Sequence, residues 1–396
     1  MTKAQQWLGE VEGLRGLASM WVFAFHAALL CGASIPIISA GDRGVDLFIL
    51  ISGFIMVHQF HQRESVEPWQ EASTRTRFWV RRFFRIAPLY YPLLLVSLAF
   101  HQVTDGARAV IVSHYPVPVR LHDPTLVNFL AHFTFAFGLL PHFASRTPLP
   151  DWSIGLEIQF YFVFPFLMML TLRLGYRKMA SIVSVVSFLI ILMLPVYFHG
   201  FAMPASLPLR LYLFIMGMLI GAKMHSAAGQ IWPLLIALPV LAHFVVPEVN
   251  FKTVIAQVVL AVFFLLVTQK EIGRWRALID PARKLLRYRP VQQVGLFSYS
   301  IYLVHLLVVF PMGAFMLQRA WFVKSVPVVR FLTLFIASAC IVIPLSWLLY
   351  TFIERPGVRL GKLVLSNLMP GVQKSLTVIP HTQSPEQVDS TGVSAP

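Results

Sequence analysis

The sequence predicts an all-α, polytopic membrane protein: a helical bundle of about ten transmembrane helices plus one re-entrant or interfacial segment. Three observations carry that expectation. Hydrophobic residues make up 57% of the 396 residues and charged residues only 12%, whereas soluble domains carry about 25% charged residues. Apolar runs near the roughly 20 residues that a spanning helix needs recur along most of the chain. The net charge of +15 is not spread evenly, because Lys and Arg collect in short loops between the apolar runs. A soluble protein of that charge would suggest a nucleic-acid partner; the clustering argues for a bilayer and against nucleic acid.

Spans are expected at 16–37, 45–62, 86–104, 153–172, 180–198, 207–224, 231–247, 253–269, 294–316 and 331–352. The first follows Arg15 and holds His26. No cleavable signal peptide is expected, since Leu30 stands where cleavage before Cys31 would need a small residue. Arg15 and His26 are about three turns apart, so they share a helix face at roughly 16 Å along the axis. An ionisable group inside a span marks function by default. A histidine, with an unperturbed pKa of about 6.5, suits a general base near neutral pH; helix packing is the structural alternative. Cys31 and Cys340 give no metal spacing and no disulfide framework, and both read as small buried hydrophobes.

The second span opens with GVDLFILISGF, residues 44–54. Asp46 at its outer end is placed to orient or charge-balance a histidine, or to act as an interfacial cap. Ser52 and Gly53 suit close helix packing. The third is entered by RRFFRIAPLYY, residues 81–91. There Arg81, Arg82 and Arg85 read as one basic face at a helix start, suited to clamping phosphates or to anchoring on anionic lipid.

Segment 126–143 is apolar but holds His132, Gly138 and Pro141. With the N-terminus in the cytoplasm, most of the 32 Lys and Arg fall in cytoplasmic loops, as the positive-inside rule requires. A full crossing at 126–143 would turn the basic loops at 173–178 and 270–289 outward. The segment is therefore expected to be re-entrant or interfacial, and both termini cytoplasmic.

The fourth span begins within DWSIGLEIQFYFVFP, residues 151–165. Glu157 is expected near the outer face, where it could bind sugar hydroxyls, pair with His26 or snorkel to the interface. Trp152, Phe160 and Tyr161 fit an aromatic belt. The ninth span begins SYSIYLVH, 298–305, with Ser298, Tyr302 and His305 as a polar stripe. The last ends in FIERPG, 352–357, where Glu354 and Arg355 read as a helix terminus stopped by Pro356. The membrane domain is expected over 1–374 and a disordered tail over 375–396.

Together these segments resemble the acyltransferase 3 family. The similarity runs from GLRGLASMWVFAFHA (13–27) through GVDLFILISGF, RRFFRIAPLYY and DWSIGLEIQFY to SYSIYLVH and FIERP, over about 13–356. It implies a multi-pass protein of the bacterial plasma (inner) membrane that acylates carbohydrate from cytoplasmic acyl-CoA, chiefly acetyl-CoA, with no permanently bound cofactor and no metal. Members acetylate exopolysaccharide, lipopolysaccharide O-antigen, peptidoglycan, nodulation oligosaccharides and some macrolides. The family's first-span histidine matches His26, its neighbouring basic residue Arg15, and its arginine motif Arg81, Arg82 and Arg85. On this reading the arginines hold the CoA phosphates, His26 is catalytic, and Asp46 and Glu157 orient it or hold the sugar.

Two departures stand out. The family's usual form is similar to WSLxxEEQFY, but Ile158 replaces the second Glu here, which resembles members acting on exopolysaccharide or small glycans. Some members carry a fused extracytoplasmic hydrolase-like domain. None is read in this chain, so transfer is expected to be completed by the chain itself or with an acyl-accepting partner protein. The rival class is an exporter of glycan or glycolipid with a buried proton relay; it calls for inverted repeats and paired broken helices, and neither is visible. A non-enzymatic partner of a polysaccharide synthase would need no acyl-CoA site.

Reporter fusions test the topology. Fusions in 173–178 and 270–289 should report cytoplasm, and one at residue 115 the outside. A 270–289 loop found outside would sink the ten-span reading.

Overall fold

The computed structural model describes residues 3–65, 67–115, 122–269 and 272–368. Among these residues the structure is all helical, with no strand. The expected tail at 375–396, with Lys374, lies outside the described residues.

The chain opens with α1 (Lys3–Leu30) and α2 (Asp42–Arg63), followed by α3 (Ala72–Ala99) and α4 (His101–His114). α1 from Gly9 onward and α2 are each long and apolar enough to cross a membrane. α3 and α4 qualify only as a pair, bent by 69° at Phe100. Beyond α5 (Leu126–Phe133) come α6 (Trp152–Leu174) and α7 (Tyr176–Met193), both long enough to span. α7 turns Ile182, Val185, Val186 and Leu189 outward, as a lipid-facing helix should.

After the short α8 (Pro195–His199) lie two apolar helices of 14 residues, α9 (Leu211–Met224) and α10 (Trp232–Val245). At about 21 Å each is shorter than a hydrocarbon core of about 30 Å. α9 is buried throughout Leu211–Ala222; a helix that is apolar all round belongs in the interior. α11 (Phe251–Thr268) spans again. α12 (Arg276–Leu286) and α13 (Arg289–Leu296) lead into the spanning α14 (Ser298–Leu317). α15 (Ala320–Lys324), α16 (Pro327–Leu349), a π-helical turn (Tyr350–Glu354) and α17 (Arg355–Leu368) complete the described chain. Among the described residues, seven helices are thus long and apolar enough to span, and the other three expected spans fall on the bent pair and on α9 and α10.

Glycines set the closest contacts. A Cβ on Gly53 would lie 2.1 Å from the Phe214 carbonyl oxygen, and one on Gly217 would lie 2.0 Å from that of Leu50. The α2 and α9 backbones therefore touch, as small residues in membrane helices permit. Gly295 of α13 meets the Glu12 carbonyl of α1 in the same way, at 2.0 Å. An ion pair between Glu10 and Arg287 closes that side.

Segment 126–143 is not one helix. α5 has eight residues, about 12 Å, and Phe135 with φ 59° turns the chain into a short 3-10 helix at Ala136–Leu139. His132 is fully buried, stacks on Phe137 and faces Asp151 at 3.6 Å. Broken backbone of this kind survives at membrane depth when protein covers it.

Four expectations need correction. The arginine motif does not open its helix, because α3 begins at Ala72 and carries Arg81, Arg82 and Arg85 in its interior. Pro356 does not stop the last helix, because the π turn widens the backbone just before it and the chain runs on to Leu368; such a turn relieves the clash that proline makes with a regular helix. Cys31 is buried, but Cys340 is exposed on α16. Trp152, Phe160 and Tyr161 form no belt, for all three are buried, and Phe160 stacks on Phe214 at 3.9 Å.

Gly217→Val should lower the melting temperature of the detergent-solubilised protein through overpacking, costing about 1–3 kcal/mol or preventing folding. Gly106 of α4 has nothing within 4 Å of its Cβ position, so Gly106→Ala should be neutral or slightly stabilising. Equal melting of the two variants would contradict the α2–α9 contact.

Candidate active site

α1, α2, α3, α6 and α14 enclose a cavity of about 470 Å³. Four of the expected site residues line it from one side or another: Arg15, Arg82, Arg85 and Glu157. The arginine face of α3 is divided by its partners. Arg82 donates to the Gln59 side-chain oxygen and lies 5.3 Å from the Tyr161 ring centroid and 5.5 Å from that of Phe78. Its direct contacts are a neutral amide and two aromatic faces, which attract a guanidinium without neutralising it, and Glu157 acts on it only across the cavity. Arg85 pairs with buried Glu354, whose other oxygen accepts from Ser300 Oγ at 3.0 Å. Arg81 turns away from the cavity and makes a two-pronged pair with Glu67, both contacts at 2.8 Å, which Arg63 joins at 3.5 Å. Glu67 follows α2 and is itself buried. Arg15 reaches the cavity from α1 and sits 3.5 Å from Glu12.

Glu157 lies deeper than expected. It accepts from Ser52 Oγ at 3.1 Å and from the Tyr161 hydroxyl. Ser52 is near the middle of α2, so Glu157 faces the mid-bundle cavity instead of the interface. The sequence favoured packing over a functional role for Ser52 and Gly53; the structure gives packing to Gly53 and turns Ser52 into the cavity.

His26 and Asp46 are held apart from each other's hydrogen bonds. Asp46 is buried, accepts from Arg43 at 2.9 Å and Gln257 at 3.0 Å, and has Arg210 at 4.0 Å. These contacts tie α2 to α11 and to the start of α9. The group beside His26 is His305 of α14: its Nε2 is 3.1 Å from His26 Nδ1. The wall between this pair and the cavity includes Tyr302, which lines the cavity, accepts from Ser153 Oγ at 2.8 Å and has its ring centroid 6.1 Å from that of His305.

Sequence reasoning missed Gln59, Glu67 and the role of Glu354. It also missed a second histidine contact: His58 lines the cavity and its Nδ1 lies 2.9 Å from His225 Nε2. Among the described residues, no group of three or more His, Cys, Asp or Glu is arranged to hold a metal ion.

Comparison with known proteins adds a separate line. A family model described as an acyltransferase domain matches residues 8–351. Peptidoglycan O-acetyltransferase OatA of Listeria monocytogenes is 22% identical over 330 residues, which is 76% of this chain and 49% of that protein. Acyltransferase MdmB of Streptomyces mycarofaciens is 24% identical over 395 residues, covering 89% of this chain and 92% of that one. O-acetyltransferase OatA of Staphylococcus aureus is 22% identical over 380 residues, with 89% and 57% covered. The chain therefore spans about half the length of the Listeria relative. No solved structure matches.

The divided arginines separate by stability. Arg81→Ala strips buried Glu67 of its main partner and should cost about 3 kcal/mol. Arg82→Ala breaks no direct ion pair and should cost about 1 kcal/mol. Thermal unfolding of the two purified variants reads the difference, and equal losses would refute the division.

Proposed function

The chain belongs to the acyltransferase 3 family, and from that membership we propose that it is a membrane-bound O-acyltransferase moving an acyl group, chiefly acetyl, from acyl-CoA to a hydroxyl of a carbohydrate. One observation carries the proposal: Arg15, Arg82 and Arg85 converge on a single cavity whose wall at Tyr302 abuts the histidine pair. The volume of about 470 Å³ lies in the usual range of small-molecule sites, about 300–1,000 Å³. Guanidinium groups are the natural partners of phosphates, and CoA is a polyphosphate thioester. Carbohydrate as acceptor is supported by the peptidoglycan O-acetyltransferase among the relatives.

In the proposed reaction the donor's phosphates meet Arg82 and Arg15, with Arg85 held in place by Glu354. The thioester lies toward His26. His26 takes the proton of the acceptor hydroxyl, the oxygen bonds to the acyl carbon, and the carbon–sulfur bond breaks. The CoA thiolate then takes the proton back from the imidazolium. Transfer by way of a transient acyl-imidazole on His26 has the same overall balance in two steps. Glu157, already accepting from two hydroxyls, is the group suited to hold a sugar hydroxyl. Asp46 supports the site at a distance by fixing α2 against α11. The bilayer setting is the bacterial plasma membrane with the donor side cytoplasmic, and a partner protein presenting the acceptor is compatible with it.

A base contributes roughly 10²–10⁴-fold to rate. Purified protein with labelled acetyl-CoA and peptidoglycan fragments or exopolysaccharide should release CoA, and His26→Gln should lower the rate by about that factor at normal protein levels, with acetyl-CoA binding retained. Arg82→Ala should weaken acetyl-CoA binding first. If His26→Gln keeps most of its activity, the catalytic assignment fails; if no acyl-CoA is ever bound or turned over, the exporter reading replaces this one.

A further inference from the structure

His305 is fully buried on α14, and both of its ring nitrogens are committed. Nδ1 lies 2.7 Å from the Tyr302 carbonyl oxygen and 3.1 Å from that of Ile301. Carbonyl oxygens only accept, so Nδ1 carries the hydrogen. A neutral His305 then presents a lone pair at Nε2, which lies 3.1 Å from His26 Nδ1. On the other side of the contact, His26 Nδ1 is 2.9 Å from the Val22 carbonyl oxygen. That oxygen also only accepts, so His26 Nδ1 must carry a hydrogen as well. If instead His305 donated from Nε2, the His26 Nδ1 lone pair would face a carbonyl lone pair at 2.9 Å. The backbones of α14 and α1 therefore agree: the one hydrogen on His26 Nδ1 is shared between the Val22 carbonyl oxygen at 2.9 Å and His305 Nε2 at 3.1 Å, and the basic nitrogen of His26 is Nε2.

We infer that His305 is a positioning residue of the reaction, a neutral hydrogen-bond acceptor that together with the Val22 carbonyl holds His26 in its Nδ1–H tautomer and sets the rotation of its ring. The inference rests on the acyl-transfer reading. During transfer His26 Nε2 takes the acceptor hydroxyl's proton as the carbon–oxygen bond forms and the carbon–sulfur bond breaks. It then returns that proton to the CoA thiolate. His305 exchanges no proton; its Nε2 accepts from the imidazolium throughout, and its own Nδ1–H stays on the Tyr302 carbonyl. Phe23, whose ring centroid is 6.0 Å from that of His305, packs the pair from the α1 side.

The test compares His305→Leu and His305→Gln in the full chain, purified in detergent, with acetyl-CoA as donor. Gln places an amide oxygen near the position of Nε2 and can accept; Leu cannot. His305→Leu should lower kcat by on the order of 10²-fold or more, as loss of a tautomer-fixing acceptor does elsewhere, with KM for acetyl-CoA unchanged. His305→Gln should recover at least about tenfold of that loss by restoring the acceptor. Nitrogen-15 NMR of histidine-labelled wild type should show His26 Nδ1 as the protonated nitrogen. Equal rates for the two variants, or a wild-type His26 protonated at Nε2, would overturn the inference. A wild type that never turns over acetyl-CoA would overturn the acyl-transfer reading instead, while the nitrogen-15 signal still judges the tautomer.

Discussion

Glu354 lies in a π-helical turn at 1% exposure, with its carboxylate cut off from solvent. An ionised carboxylate in such a place is tolerated only when paired and hydrogen-bonded. Arg85 supplies the pair from α3 and Ser300 the hydrogen bond from α14. One buried anion thus fixes three elements relative to one another, and they carry much of the cavity wall: Arg82 and Arg85 on α3, Tyr299 and Tyr302 on α14, Tyr350 on the turn. The turn also keeps Gly357 against Pro88, where a Cβ would lie 2.4 Å from the proline ring. A buried pair of this kind is weak evidence for net stability, but breaking it leaves an uncompensated charge costing about 3–5 kcal/mol. Its contribution is therefore geometric: it leaves the α3 arginines one place to be.

The same constraint sorts the remaining charges. Arg81 and Arg63 share Glu67, Arg287 meets Glu10, and Arg43 meets Asp46. Each pair joins segments distant in the chain or braces the end of a helix. Arg82 departs from this pattern, being held by an amide oxygen and two aromatic faces. In a low-dielectric interior a cation held by neutral partners keeps its attraction for an incoming anion. The distinction between an anchoring arginine and a ligand-holding one lies in the partner, and neighbouring positions on one helix fall on opposite sides of it.

Partners also decide what was legible in the sequence. Apolar runs and basic loops located the helices, because hydrophobic length and charge are local properties. The motif at 81–91 marked a cationic helix face but misplaced it at a helix start, since α3 begins at Ala72, and the depth of His26 marked a polar site. Arg81 could not be separated from Arg82 on α3 alone, since Glu67 lies in a connection after another helix. The buried aromatics of 151–165 matched an interface belt because composition does not say which way a ring faces. Pro356 read as a stop because its usual effect is to end a helix, whereas here a π turn precedes it and Glu354 within that turn meets Arg85 on α3. His305 was visible as part of a stripe; its partner is 279 residues away in the chain, and no spacing rule reaches that far.

The histidine pair shows why Asp46 does not take the place that the sequence offered it. A carboxylate is the common orienting partner of a catalytic histidine, but beside His26 it would add a net charge inside the bundle. Asp46 is already claimed by Arg43, Arg210 and Gln257, where its charge is compensated. His305 orients a neighbouring imidazole without adding charge, and its own Nδ1–H is satisfied by backbone carbonyls that α14 supplies one turn back. On the proposed reading, charge appears at the pair only when His26 takes a proton, and it disappears when the proton leaves with the thiol. A bilayer interior that penalises standing charge favours that arrangement: the compensated ions sit at the α3 and α2 walls, and the neutral pair sits where the proton moves.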